Sequence, residues 1–276
     1  MIGIASRNRC FRVGATILAG LGAVLGGTAL FRGIDLNPHI LRRLHAPSAR
    51  FLLGTDALGR DILSCLTFGT LLSLAIALAV MTLSAASGAG LGFLAGWLGG
   101  IPGTCIMRVA DLALAFPGIL LALVLIAFWG QGVLHLVLAL AAGGWAGYAR
   151  LVRAEVLKIR EQDFILAARG FNASSRHIAC AHVLPLVFPV LLTQAVSGIA
   201  AVILAEASLS FLGLGLDPRL PTLGGMIDAG RGHLFEKPGL VLVPGTMLVL
   251  LVAAFLLLAE GFKPPAGEMA LEKFRK

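Results

Sequence analysis

Few residues in this chain have a type and spacing suited to chemistry. Cys10, Cys65, Cys105 and Cys180 are scattered, no Cys-x-x-C occurs, and no Cys/His cluster has zinc-ligand spacing. The six histidines are dispersed and read as interfacial or packing residues. No G-x-x-x-x-G-K-[ST] loop is present to cradle a phosphate, so ATP hydrolysis is not expected of this chain. No His/Asp/Glu or Ser/Lys set converges on one apolar segment, which disfavours an intramembrane enzyme. No catalytic residue, metal or cofactor is therefore expected. The informative pattern is non-covalent. Residues 163–189 read DFILAARGFNASSRHIACAHVLPLVFP, with Ala167-Ala168, Asn172-Ala173-Ser174 and Leu184-Pro185 inside it. Crossing a bilayer does not require such a stretch, so its chemistry is docking to something in the cytoplasm.

The elements that must position it are apolar helices. The 276 residues are 58% hydrophobic and only 13% charged, with a mean hydropathy of +0.94. A soluble domain carries about 25% charged residues. Charges fall in clusters between long uncharged runs, which predicts an all-α polytopic membrane protein of about six transmembrane helices. The transmembrane domain is expected over 13–262, with spans at 13–31, 68–98, 112–128, 133–149, 185–205 and 239–259. Tails 1–12 and 263–276 flank it, 150–184 is a charged loop, and 32–61 and 206–238 are loops on the other side. On that layout the tail-and-charged-loop side holds fourteen of the 22 basic residues, which makes it, and both termini, cytoplasmic. The first span is read as an uncleaved helix rather than a signal peptide, because its apolar run is long and no clean A-x-A site follows. The net charge of +8 flanks apolar runs without interleaved aromatics, so it reads as topology and not as nucleic-acid binding.

Four details refine this layout. Ser84, Gly88, Gly92, Gly96 and Gly100 recur every fourth residue and predict a groove for close helix packing. Arg108 and Asp111 are three apart and suited to pairing on one face. Thr55 or Asp56 is expected to cap the second span, with Arg60 pairing to neighbouring loops. Asp111, Glu206 and Glu260 are expected at span ends, which argues against proton or sodium coupling. The alternative class, a self-contained channel or ion-coupled secondary transporter, is weakened by that placement and not removed by it.

Within the charged loop, residues 163–171 predict a short amphipathic helix. Phe164, Ala168 and Phe171 fall at i, i+4, i+7 and share a face. Ala167 and Ala168 keep it thin. Asn172 suits a left-handed helix stop, Ser174 or Ser175 suits the next cap, and Pro185 marks where span five begins. A surface helix lying on lipid headgroups is the competing reading.

This loop resembles the coupling loop of binding-protein-dependent ABC importer permeases, usually written E-A-A, three residues, Gly, then Leu-Pro. Ala167-Ala168 and Leu184-Pro185 match it, while Leu166 stands for the Glu and Asn172 for the Gly. LGTDALGRDILS at 53–64, MRVADLALAFPGILLAL at 107–123, HVLPLVFPVL at 182–191 and EASLSFLGLGL at 206–216 are similar to the second, C-type permease of the dipeptide, oligopeptide and nickel importers. Leu223 departs from a usual Trp, and the end of the last span departs from a more polar pattern. The resemblance implies a type I ABC importer permease fold in the bacterial inner membrane. It further implies a second permease completing the pore, cytoplasmic ATPase subunits, and an extracytoplasmic binding protein that sets selectivity among peptides, nickel and metal chelates. Phe164, Leu166, Ala167, Ala168, Phe171, Asn172 and Pro185 are then the expected ATPase-coupling residues.

Overall fold

A computed structural model of the chain describes residues 2–262; the expected tail at 263–276 lies outside the described residues. Helix α1 (Ile2–Arg32) begins well before residue 13, so the segment expected as an N-terminal tail is helical and continuous with the first span. Helix α2 (Ile62–Leu98) follows the first large loop. Its N-cap is Asp61, whose Oδ2 accepts from the Ser64 amide at 3.0 Å and the Ser64 hydroxyl at 2.8 Å. That position was expected to fall to Thr55 or Asp56. Those residues instead fold the loop: the Asp56 carboxylate takes the Leu58 and Arg60 amides, and Thr55 Oγ1 takes the His45 amide.

Gly99, at φ +65°, ends α2, and α3 (Gly100–Ala115) starts at once. Pro117 then breaks the chain. A residue before proline is pushed out of the helical region, and Phe116 is extended at φ −94°, ψ 133°. The next helix, α4 (Gly118–Trp129), leaves at 84° to α3. The expected span 112–128 is therefore two helices meeting at a corner. Gly130 and Gly132 turn the chain into α5 (Val133–Arg160), which runs beyond the expected 133–149 to include five charged residues. Three short helical pieces, α6 (Asp163–Gly170), α7 (Ser175–His177) and a π-turn (Ile178–Val183), lead into α8 (Leu184–Phe211). Helices α9 (Leu223–Arg231) and α10 (Gly239–Phe262) complete the described chain. Four stretches, Arg9–Phe31, Ile62–Leu98, Ser175–Phe211 and Gly239–Phe262, are long and apolar enough to cross a membrane, and the bent α3–α4 pair makes a fifth. The protein is thus an all-helical, multi-pass membrane protein.

Helix α2 is the centre of the bundle. One face packs on α5, α4 and α8 around Ile76, Val80, Leu136, Ile126 and Leu209. The other packs on α1, α8, α9 and α10 around Leu66, Ala77, Leu25, Ile203 and Leu251. The small-residue ridge does what its spacing predicts, with one exception. A Cβ on Gly88 would meet the Trp145 carbonyl, one on Gly92 the backbone of Ala149, and one on Gly96 the Val156 side chain at 2.9 Å. Ser84 sits against Gly144 in the same seam. Gly100 is not part of it: it lies in the α2–α3 turn at φ +52° with open space around it.

Backbone stands opposite Gly92, so a side chain there has nowhere to go. Gly92→Leu is expected to destabilise the purified protein by at least about 3 kcal/mol, the upper part of the overpacking range. Gly90→Leu, on the open face of the same helix, is expected to leave the thermal midpoint in detergent unchanged or slightly raised, since leucine is the better helix former.

Candidate functional site

At 37 residues, α2 is about 55 Å long at 1.5 Å per residue, against a hydrocarbon core of about 30 Å. Its N-terminal end opens from a polar loop, and its C-terminal end is uncharged and exposes Leu91, Leu94 and Leu98. The second half of α5 runs beside that end and carries Arg150, Arg153, Glu155, Lys158 and Arg160. The ends of the two helices pack together as a stalk, and tilt is one way such excess length is accommodated.

The stalk has its own core. Val152, Val156 and Ile159 of α5 meet Ile165 of α6, Ile178 and Val183 of the π-turn and Val187 of α8, with Phe93 and Trp97 of α2 packed against them. Helix α6 lies across the tip. A two-residue turn, Glu161-Gln162, starts it, and the Gln162 carbonyl accepts the Ile165 and Leu166 amides at 3.0 and 3.2 Å. Its end is a Schellman stop. Asn172 is left-handed at φ 62°, its amide bonds the Arg169 carbonyl at 2.9 Å, and the Ala173 amide bonds the Ala168 carbonyl at 3.0 Å. Ser174 then caps α7, its Oγ accepting from the His177 amide at 3.2 Å.

These bonds fix which face α6 presents. Ile165 is fully buried, and Ala168 is half-buried beside it against the stalk core. Phe164, Leu166, Ala167 and Phe171 are exposed, Phe171 at 89%. Ala168 therefore belongs to the inner side, not to the outer face that i, i+4, i+7 spacing assigned it. The spacing argument assumed that apolar residues mark one face; on this helix both faces carry them, and Ile165 outcompetes Phe164 for the core. The Phe164 ring lies 6.3 Å from the His182 ring, which meets His177 edge-on at 5.5 Å.

Pro185 does not start a new helix. Helical backbone is continuous from Ser175 to Phe211. A proline in a helix removes one donor and crowds the carbonyl four residues back. The π-turn just before it widens the ring, and the Leu184 amide bonds the Ala179 carbonyl five residues back. Nothing in the residue spacing signalled that turn.

Two further acids are placed differently from expectation. Asp111 pairs with Arg150 of α5 at 2.6 Å, not with Arg108. Glu206 is not in a loop: it lies inside α8, 0% exposed, accepting the Ser73 hydroxyl at 2.7 Å and the Ser210 hydroxyl at 2.8 Å. On the far side of the molecule, Arg60 bonds Asp56 at 2.7 Å and reaches the Arg219 carbonyl at 3.4 Å, tying the two outer loops together as its position suggested. In the same loop the Asn37 amide, donating to Asp35, holds that carboxyl below its ordinary range.

Known proteins share this sequence and architecture. Residues 88–264 match the family described as "Binding-protein-dependent transport system inner membrane component". The di/tripeptide transport system permease protein DppC of Pseudomonas aeruginosa is 38% identical over 80% of this chain and 73% of its own length. The glutathione permease GsiD of Pectobacterium atrosepticum is 37% identical over 79% and 72%. The nickel permease NikC of Escherichia coli is 36% identical over 80% of each. Among solved structures, an inward-facing MetNI methionine ABC transporter superposes with a TM-score of 0.57 at 20% identity, over 69% of this chain and 91% of that one. It shares the type I importer permease fold.

The stop at Asn172 can be tested alone. Asn172→Gly is expected to keep α6 within about 1 kcal/mol of its native stability, because glycine takes the left-handed conformation freely. Asn172→Val is expected to cost about 2 kcal/mol, as a β-branched residue resists it. Amide hydrogen exchange over residues 165–173 measures both, and equal protection in the two variants would remove the stop from the account.

Proposed function

Because this chain belongs to the binding-protein-dependent transport system inner membrane component family, we propose that it forms half of an importer pore and receives its driving force through α6. The other half is a second permease. Cytoplasmic ATPase subunits seat the exposed face of α6, and a binding protein delivers cargo to the opposite face, where the two outer loops are tied by Arg60. The stalk side is cytoplasmic, as its basic charge supports, and the membrane is the bacterial inner membrane. The carrying observation is α6 itself. It is a two-turn helix stopped at Asn172, buried on one side by Ile165, and exposing Phe164, Leu166, Ala167 and Phe171 on the other. A helix lying on lipid would not stand at the tip of a stalk past the charged turns of α5.

ATP binding closes the ATPase pair and moves the two coupling helices, and the stalk carries that motion to α2 and α8. The cargo is of the class its relatives carry, small peptides or metal ions such as nickel. The described residues include no group of three or more His, Cys, Asp or Glu able to hold a metal ion. A metal cargo would therefore cross without a fixed site of that kind among them, and selectivity is assigned to the binding protein.

The reading is tested in proteoliposomes with a radiolabelled dipeptide and, separately, ⁶³Ni²⁺. Uptake is expected only when the second permease, the ATPase subunits, the binding protein and ATP are all present. Uptake by this chain alone would overturn the proposal. The face assignment gives a second test. Ala167→Glu is expected to abolish ATPase association while α6 keeps its amide protection, whereas Ala168→Glu is expected to lose that protection first, because it drives a charge toward the stalk core. Normal transport in both variants would remove α6 as the docking element.

A further inference from the structure

The last carbonyls of a helix have no partner within it and must find one. At the end of α2, the Ala95 carbonyl takes the Gly99 amide at 3.3 Å. Those of Gly96 and Trp97 are taken by Arg160, whose Nη1 donates to both at 2.6 and 2.9 Å. The Arg160 guanidinium also stands 5.6 Å from the centre of the Trp97 ring, close enough for a cation–π contact. Trp97 in turn stacks on Phe93 at 5.8 Å with the rings 10° apart, and both pack on the stalk core. A cation at a helix C-terminus is favoured by the helix dipole as well.

Arg160 is the last residue of α5, and α6 begins at Asp163. The Ile159 carbonyl takes the Gln162 amide at 3.1 Å, so the turn between them is itself bonded. The base of the coupling helix is thus held to the end of the central helix by one side chain making three contacts. Arginine suits this place where lysine does not, since a flat guanidinium donates to two carbonyls while stacking on an aromatic face.

We propose that Arg160 is a positioning residue for coupling: it makes α6 and the end of α2 move as one body, so displacement of α6 by the ATPase reaches the pore-forming helix. This rests on the reading of α6 as the ATPase contact. A role in stability alone would ask only for a positive charge near the α2 terminus, and lysine would serve.

The test uses Arg160→Gln, Arg160→Lys and Trp97→Phe in the complete transporter. ATP hydrolysis is measured with and without binding protein. Spin-label distances are measured between Arg169→Cys on α6 and Leu98→Cys at the end of α2, with the four native cysteines replaced by alanine. The native pair is expected to give one narrow distance both without nucleotide and with vanadate-trapped nucleotide. Arg160→Gln and Arg160→Lys are expected to broaden it and to lower binding-protein-stimulated hydrolysis about fivefold or more, the low end of usual coupling between two sites. Basal hydrolysis and complex assembly stay unchanged, and Trp97→Phe, which keeps a ring, is nearly native. Full rescue by lysine, or a narrow distance and normal stimulation in Arg160→Gln, would overturn the proposal. If the native chain fails to associate with an ATPase at all, the permease reading falls, and the distance in the purified chain still decides whether Arg160 holds α6 to α2.

Discussion

Everything in this molecule is arranged around one close contact, the approach of α2 and α5 along Gly88, Gly92 and Gly96. Helices in lipid gain little from burying apolar side chains against each other, because lipid is as apolar as leucine. They gain from approaching closely enough for their backbones to touch. The α2 glycines permit that on the Trp145-to-Val156 edge of α5. The contact extends along α2 to the Val156 turn of α5, where the stalk core begins. Two helices joined in this way over more than two turns do not slide independently.

Where a helix leaves a hydrocarbon layer the energetics change sign. Apolar side chains there face water unless protein covers them, at about 25 cal/mol for each Å² exposed. The stalk answers with a core of its own, built from Val152, Val156, Ile159, Ile165, Ile178, Val183 and Val187. Helix α6 supplies Ile165 to that core, and this fixes its orientation. With so few turns, α6 would be marginal alone. It persists through the apolar Ile165 anchor and the Asn172 stop, where the Asn172 and Ala173 amides take carbonyls that a free helix end leaves to water.

Much of this could be read from the sequence, and the failures have identifiable causes. Composition marked the all-helical membrane class, every-fourth-residue spacing marked the α2 seam, Asn172 marked the end of α6 and Ser174 the start of α7. Those signals are local: a period, a charge cluster, a residue suited to one backbone conformation. What could not be read depends on partners distant in sequence. Asp111 meets Arg150 because α3 folds back along α5, although Arg108 is closer along the chain. Ala168 turns inward because Ile165 has a pocket to fill. Gly100 fits the period of the seam, but the helix has already ended at Gly99. The π-turn before Pro185 is a compromise between a proline and a continuous helix, which no pattern of types announces.

Glu206 shows most sharply how burial changes the meaning of a residue. By sequence it is an acid just outside a span. In the fold it is an acid inside the bundle, where an uncompensated polar group costs several kcal/mol. Its two oxygens each accept one serine hydroxyl, Ser73 from α2 and Ser210 from its own helix. The carboxyl group thereby joins α2 to α8. The Asp111–Arg150 pair joins α3 to α5 between exposed side chains, where an ion pair costs far less to form than inside a bundle.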